Sequence, residues 1–532
     1  MSPEGAGRAH AVMKRLEAPD GLVHLVQPMA SHRPDDIRVL SLYLHVYGLL
    51  ALSHIVMQVV LGHAHHLRQR RRTSLINLPS AAVIVPVYNE APDLLAQCLE
   101  SLNAQQHPDK QVIVVDDGSP NLRELEPVYA RYSDHPGWKI LRLTSNVGKR
   151  AAQCVGFDAA TTAVVVTVDS DTVLDDPRAL ETLARSFLRR RVAAVTGAVG
   201  VSNAGTNMLT RLTALRYWMA FHQERAAQSL FGVMLCCSGP FAAYRRTVIN
   251  EVRDDYVRQT FLGQRCTFGD DRHLTNLVLS RGHQAIFDPE AHAHTHVPDT
   301  WSGFLRQQVR WNKSFYRELL WSLRFAHRRN PYLVIELAFQ TFLPFMLIAA
   351  IVSVGVRSVS EPKVAAEYAA VVFGIALARC AYGVLRTRSL RFLLFTAYGF
   401  IHVGLLLPAR LHAITTIGRT HWGTRGMERT AETIVDTGPV RVLQAKPAAR
   451  IPQPRTHSPT VMVVEDTRAV QPTTEPGVVM VQDVLPSLAR DVLGRWRPVR
   501  TRPSTVMFVP EQRLRSSAEP IDWAHWQPVP VG

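Results

Sequence analysis

Cysteine is scarce in this chain, with six in 532 residues, at positions 98, 154, 236, 237, 266 and 380. No two of them have CxxC spacing, and Cys236 and Cys237 are adjacent, an arrangement that rarely bridges. The pattern excludes a disulfide framework and a structural zinc, and the thiols read as reduced, in a cytosolic compartment. The first 30 residues lack an apolar run followed by a small-residue cleavage site, so no cleaved signal peptide is expected. Acidic residues are outnumbered: 44 Asp and Glu against 60 Lys and Arg give a formal charge of +16. That balance favours an anionic partner, whether nucleotide phosphate, nucleic acid or the inner face of a membrane. No helix-turn-helix, zinc-finger or RNP signature accompanies it, which argues against nucleic acid. Internal repeats are also absent.

What the sequence does contain begins with long apolar stretches. The basic runs HLRQRRR (66–72) and RFAHRRN (324–330) each abut one, the pattern of loops kept on the cytoplasmic side of a membrane. Residues 1–36 are polar and expected to be poorly ordered. Residues 37–62 are long and apolar enough to span ~30 Å of hydrocarbon, although His45 and His54 fall within them. Further apolar segments lie at 331–356, 364–385 and 390–412, so 331–412 reads as two to three membrane helices. The last contains Gly399, His402, Pro408 and Arg410, which leaves a re-entrant or interfacial course open beside a span. Residues 413–426 follow, and 427–532 turn rich in Pro, Thr, Arg and Val without periodicity, an expected disordered tail.

Residues 63–300 read as a soluble α/β domain. The runs AAVIVPV (81–87), QVIVVDD (111–117), AVVVTVD (163–169) and VAAVTGAV (192–199) are apolar throughout, as strands of a buried parallel sheet are. Helices are predicted to start near Pro92, Asn121, Lys149 and Asp176. Residues 206–230 and 303–326 are amphipathic, suited either to the membrane interface or to packing on the α/β core.

In open α/β sheets the ligand crevice lies off the carboxyl ends of the strands. VVDDGS (114–119) ends a strand on two carboxylates; they are either acceptors for a nucleoside or a charged turn. NVGKR (146–150) sets Lys149 and Arg150 at a helix start; either these basic groups and the free N–H groups serve a diphosphate, or the stretch is an ordinary helix entry. TVDSDT (167–172) separates Asp169 and Asp171 by one residue at a strand end, two hard oxygen ligands for Mg²⁺ or Mn²⁺. CCSGP (236–240) reads as a tight turn at a pocket wall. FGDDRHLTN (268–276) places two carboxylates after a glycine; Asp270 would raise the pKa of Asp271 and Arg272 would lower it. QQVRWNKSFYRE (307–318) puts Gln307, Arg310 and Trp311 on adjoining helix faces, an arginine for a diphosphate and an indole for a sugar ring. His292, His294 and His296 share one face if 290–298 is a strand; a packed or solvated strand suits them better than zinc.

Taken in order, PVYNE, DDGS, VDSDT, SGP, GDDRHLTN, QQVRW and WGTR resemble the processive, membrane-embedded family-two glycosyltransferases, bacterial hyaluronan synthases most of all, over residues 80–426. The resemblance implies a Rossmann-like α/β GT-A domain in the cytosol, at the plasma membrane, that uses Mg²⁺ or Mn²⁺. It implies that UDP-GlcNAc and UDP-GlcA are polymerised into hyaluronan and the growing polysaccharide is passed across the lipid. Carried over residue by residue, Asp117 would contact uridine, Lys149 the diphosphate, and Asp169 and Asp171 the metal. Cys237, Ser238 and Gly239 would line the acceptor pocket, and Asp271 would be the general base. Gln307, Arg310 and Trp311 would hold the diphosphate and acceptor sugar, while Trp422, Thr424 and Arg425 would form part of a gate. One apolar segment precedes the catalytic domain where hyaluronan synthases carry two. The one-plus-three layout resembles the nodulation chitooligosaccharide synthases, which use UDP-GlcNAc alone, so a chitin-type product stays open. A non-catalytic UDP-sugar-binding scaffold is the alternative from another class, and the intact acids argue against it.

Overall fold

In the computed structural model the described residues are 34–69 and 78–419, with strand backbones at 441–443, 461–464, 478–482, 496–502 and 505–510. A long helix, α1 (Pro34–Gln69), leads into the α/β domain. There β1 (Ala81–Val87), α2 (Pro92–Asn103), β2 (Lys110–Asp116), α3 (Leu122–Ala130), β3 (Trp138–Arg142), α4 (Lys149–Ala159) and β4 (Val164–Val168) wind in sequence. β5 (Thr172–Leu174), α5 (Ala179–Arg185) and β6 (Val192–Val201) follow. Next come α6 (Met208–Met219), a π turn (Ala220–Arg225), α7 (Ala226–Leu230), β7 (Phe241–Arg245) and α8 (Arg246–Val257). A small hairpin, β8 (Thr260–Phe261) with β9 (Gln264–Arg265), precedes α9 (Asp270–Ser280), β10 (Gln284–Thr295) and α10 (Trp301–Ser322).

The main sheet runs β3-β2-β1-β4-β7-β6-β10-β5, and β11 (Arg441–Leu443) joins its edge antiparallel to β3. β1 through β4 pair parallel, β7 lies antiparallel between β4 and β6, and β10 is parallel to β6. β1 and β4 are buried at every position, which is why their sequences read as unbroken apolar runs. Close packing of α4 on β1 requires a glycine. A Cβ at Gly156 would sit 2.3 Å from Ile84 Cγ2.

Among the described residues four helices are long and apolar enough to cross a membrane: His45–Arg68 within α1, α11 (Pro331–Ser360), α12 (Lys363–Thr387) and the stretch Leu390–Thr415. The first runs past the expected end at 62. Its last turns dock on the π turn, where Gly62 approaches the backbone of Gln223 and His66 Nε2 lies 3.0 Å from the His222 carbonyl. The fourth is a series of short turns: 3₁₀ over Leu390–Ala397, α13 (Tyr398–Ile401), a π turn (His402–Leu406) and α14 (Leu407–Thr415). Its Phe392, Phe395, Tyr398 and Leu406 pack on Leu209 and Leu212 of α6 and Phe304 of α10. The apolar faces of the amphipathic helices are thus covered by this segment. Just past α14, Arg317 of α10 donates to the Ile417 carbonyl at 2.6 Å and to that of Arg419 at 3.1 Å. Both ends of the fourth segment therefore lie against the helices of the catalytic domain.

Trp422, Thr424 and Arg425 lie outside the described residues, as do residues 1–33. The tail 427–532, expected without order, contains strands in a unit of its own, 447–532. They are β12 (Val461–Val464), β13 (Val478–Gln482), β14 (Trp496–Arg502) and β15 (Thr505–Pro510), in the order β12-β13-β15-β14. VMVV, VVMVQ and TVMFVP, which supply three of these strands, are short runs rich in β-branched and apolar residues.

The contact between α4 and β1 is open to a direct check. Gly156→Ala should cost about 1–3 kcal/mol by overpacking. In the Gly156→Ala/Ile84→Ala double variant the two losses should fall short of their sum, read by thermal unfolding in detergent.

Candidate active site

A cavity of about 1390 Å³ opens off the carboxyl ends of β1, β2 and β4 and continues between α1, α11 and α12. Its floor is acidic. Asp116 is fully committed within the fold, accepting from Ser119 N at 2.8 Å and Tyr129 Oη at 2.6 Å. Asp117 accepts from the backbone of Val147 (2.7 Å) and Gly148 (3.0 Å), so it shapes the loop that delivers Lys149. Burial pushes the Asp117 carboxyl up to about 7 against the pull of those two bonds. Gly148, at φ +92°, caps α4 in a conformation that other residues rarely adopt.

The Lys149 ammonium lies between two carboxylates, 2.6 Å from Asp169 Oδ1 and 3.4 Å from Asp270 Oδ2. Burial alone would lower its pKa; Asp169 and Asp270 reverse that and hold the ammonium charged. Asp171 accepts from Thr295 Oγ1 at 3.0 Å. Its carboxyl is raised to about 6, first by burial and then by the charges of Asp169 and Glu90. Glu90 receives a 2.6 Å bond from Ser170 Oγ, so the Asp-Ser-Asp turn is held from below.

Asp270 and Asp271 open α9, whose cap Gly269 is left-handed at φ +80°; a Cβ there would meet Ser314 Oγ at 2.1 Å. The two acids differ. Burial would raise Asp270, but Lys149 and Arg150 hold it below the usual carboxylate range. Burial, then the Asp270 charge, raises Asp271, with Arg272 opposing. The neighbour effects run as the sequence suggested; burial, the larger cause, is visible only in the fold. Asp271 Oδ1 accepts from Arg272 N at 2.7 Å, and the Cys236 thiol donates to Oδ2 at 3.3 Å. Gly239 stands where these groups meet. A Cβ on it would lie 3.6 Å from Asp169 Oδ2, 3.6 Å from Lys149 Nζ and 3.8 Å from Asp271 Cβ.

Gln307, Arg310 and Trp311 of α10 face the same cavity, and Trp311 approaches Tyr217 of α6 with ring centroids 6.3 Å apart. Gln307 Oε1 is buried with no hydrogen-bond partner among the described residues. Ser238 and Gly239 line the cavity as expected, but Cys237 does not. It is fully buried in the core, with its backbone N–H on Thr275 Oγ1 at 2.8 Å. Cys236, half-buried beside it, lines the cavity in the place expected for Cys237.

Arg150, expected beside Lys149 as a second cation for a diphosphate, is instead 6% exposed; it donates to the carbonyls of Tyr256 and Phe268 and holds the loop before Gly269. Sequence reasoning missed two other supports. Glu318 of α10 is 2.9 Å from His273 Nδ1 and accepts from Asn276 Nδ2 at 2.9 Å, tying α10 to α9. Glu224, on the π turn, takes a bidentate pair from Arg216 (3.0 and 3.3 Å) and a second arginine, Arg379 of α12. Burial would raise Glu224; Arg216 and Arg379 hold it at about 2. The one sequence signal that points to this set is a carboxylate, Glu318, two turns beyond QxxRW on the same helix.

Among the described residues no three His, Cys, Asp or Glu side chains form a metal-holding cluster; His292 lies exposed on β10 and His296 exposed just past its end. The Asp169–Asp171 pair nonetheless suits a divalent ion. A divalent cation at a diphosphate needs only one or two protein carboxylates, and Asp171, raised first by burial and then by the charges of Asp169 and Glu90, would be eased by a cation there.

The fold and the strand-end acids define a GT-A glycosyltransferase. Comparison with known proteins agrees. Residues 82–253 match the model of glycosyl transferase family 2. An N-acetylglucosaminyltransferase of Mesorhizobium japonicum is 38% identical over 68% of this chain and 84% of its own length. Its namesakes in Sinorhizobium fredii and Rhizobium meliloti are each 36% identical, over 87% and 82% of their lengths. Among solved structures, the mannosyltransferase PcManGT of Pyrobaculum calidifontis, in complex with GDP-Man and Mn²⁺, superposes with a TM-score of 0.47 and 19% identity, over 70% of this chain and 98% of that one. The chain belongs to glycosyltransferase family 2 and is an enzyme.

The tie between α9 and α10 predicts a pH effect. The Glu318 pKa is held down by His273 and Asn276 against burial, so its share of stability is present above the ordinary glutamate range and lost on acidification through the depressed value. Glu318→Gln should cost about 1–3 kcal/mol at neutral pH. It should also flatten the acid-side loss of melting temperature seen in the wild type.

Proposed function

We propose that this enzyme is a membrane-embedded, inverting glycosyltransferase that adds N-acetylglucosamine from UDP-GlcNAc, repeatedly, to a growing oligosaccharide. The observation that carries the choice of donor is the match, over more than four fifths of their lengths, to proteins named N-acetylglucosaminyltransferase. This favours a chitin-type product over hyaluronan, and UDP-GlcNAc alone over the pair with UDP-GlcA. Hyaluronan is the second reading, kept by the GDDRHLTN and QQVRW resemblance.

The site geometry supports a division of labour. In the transfer, the acceptor hydroxyl oxygen bonds to the anomeric carbon as the bond from that carbon to the diphosphate breaks. The bonding pair leaves with UDP, and the hydroxyl proton goes to the Asp271 carboxylate. Asp271 suits the base because burial and Asp270 raise its basicity while Arg272 N and Cys236 orient it. Lys149 and Arg310 balance charge developing on UDP. Asp169 and Asp171 would hold Mg²⁺ or Mn²⁺, which supplies a Lewis acid for the diphosphate oxygens. Asp117 holds the Val147–Gly148 loop beside the nucleoside pocket. Trp311 and Tyr217 offer faces for the acceptor sugar, and Ser238, Gly239 and Cys236 form its wall. The cavity's continuation between α1, α11 and α12 gives the product a path into the membrane helices. Trp422, Thr424 and Arg425 remain candidates for a segment closing over the site.

Two experiments test this reading. In washed membranes with Mg²⁺ or Mn²⁺, UDP-GlcNAc alone should yield labelled oligomer that hyaluronidase leaves intact. Product only when UDP-GlcA is also present, destroyed by hyaluronidase, would replace the proposal with hyaluronan synthesis. Asp271→Asn should lower kcat about 10²–10⁴-fold with UDP affinity retained, the loss expected for a general base. Asp270→Asn should shift the acid limb of kcat/KM to lower pH, because it removes the charge that raises Asp271.

A further inference from the structure

Glu336 plays no part in the chemistry above, yet it is among the most heavily bonded side chains in the protein. It sits in the second turn of α11, a helix apolar enough to cross a membrane, and is 0% exposed. Taking a carboxylate from water at such a place is costly unless polar partners replace the water, so an ionisable group there marks a function. Three amides converge on its Oε1: Gln58 of α1 at 3.1 Å, Gln228 of α7 at 3.1 Å and Gln340 of α11 at 2.7 Å. His54 Nε2 lies 3.2 Å from Oε2. These partners line the membrane-ward part of the active-site cavity, and Glu336 stands behind them.

Each amide turns its NH₂ to Glu336, which commits its carbonyl oxygen to other work. Gln228 uses its own on the backbone N–H of Leu235 at 3.2 Å, the residue before Cys236. The carbonyl oxygens of Gln58 and Gln340 take no donor from the described residues, so the wall they form presents acceptors. A ligand there must bring donors, as the hydroxyls and acetamido N–H of a saccharide do. We propose that Gln58 and Gln340, oriented by Glu336, form a subsite for a sugar unit already incorporated, on its way from the catalytic centre into the membrane helices. This rests on the glycosyl-transfer reading and adds a second grip on the product. Glu336 is then a positioning residue.

The test uses the full chain in lipid nanodiscs, labelled UDP-GlcNAc, and N-acetylglucosamine oligomers of increasing length as acceptors. For the wild type, KM should fall once the acceptor reaches the subsite. Gln58→Met and Gln340→Met keep the bulk and remove the acceptor oxygen. Each should raise KM for long acceptors about 5-fold, one hydrogen bond's worth, so that the ratio of long- to short-acceptor KM approaches one. Glu336→Gln offers one carbonyl to three amide donors and should give the same collapse, with Glu336→Gln/Gln340→Met no worse than the larger single variant. UDP affinity, measured alongside, reports that the fold is intact and should stay within twofold. Variants that bind UDP yet keep the wild-type length dependence overturn the subsite, as does an equal rise in KM for every acceptor or a wild-type KM indifferent to length. Wild type that transfers to none of these acceptors overturns the proposed function itself, and the subsite with it.

Discussion

One ammonium holds the two halves of the site together. Lys149 lies between Asp169, from the end of β4, and Asp270, at the start of α9. Without it, the carboxylates at 169, 171, 270 and 271 would face one another in a half-buried cavity, where like charges repel far more than in water. The remainder of the geometry follows from keeping that cation in place. Asp117 fixes the loop before it, and Gly148 gives the loop its left-handed turn. Gly239 leaves open the space where Asp169, Lys149 and Asp271 converge. The same arrangement separates the roles of adjacent acids. Asp270 faces the cation and stays ionised, whereas Asp271 faces the acceptor wall and gains basicity from burial and from its neighbour.

The base half is held from the far side by a second buried charge. Glu318 lies on the helix that presents Gln307, Arg310 and Trp311, and it accepts from His273 and Asn276 on the helix that begins with Asp271. The two helices consequently move as one unit. This gives the whole of the GDDRHLTN stretch a purpose: its first residues face the cavity, and its histidine and asparagine anchor the element that carries them.

Strand ends and motifs were legible in the sequence because burial makes strands read as Val and Ile runs, and chemistry needs rare residue types at tight spacing. Asp169–Asp171, Lys149, Asp271 and Gln307–Arg310–Trp311 were all found this way and do share one cavity. β3 and β7 were missed because WKILR and FAAYR are short and mixed in character. Cys237 was chosen over Cys236 because side-chain direction in a turn segment depends on the backbone, which a doublet does not disclose. Glu318 and Glu224 are invisible for a different reason. Each supports the site through partners distant in sequence, and a lone charged residue on a helix usually means a solvated face.

The course of Leu390–Thr415 follows from the same economy of surfaces. The amphipathic helices α6 and α10 each need an apolar cover on the face turned from the sheet. Phe392, Phe395, Tyr398 and Leu406 provide it. The 26-residue stretch passes from 3₁₀ to α to π turns with helical backbone angles at each junction, so it stays one continuous helical run while it covers both helices. Arg317 then captures the carbonyls of Ile417 and Arg419 from the α10 side. The polar faces of α6 and α10 are thereby turned to the cavity, which places Tyr217 and Trp311 together at its wall. An apolar segment long enough to cross a membrane thus also seats the helices that bring Tyr217 and Trp311 to the cavity.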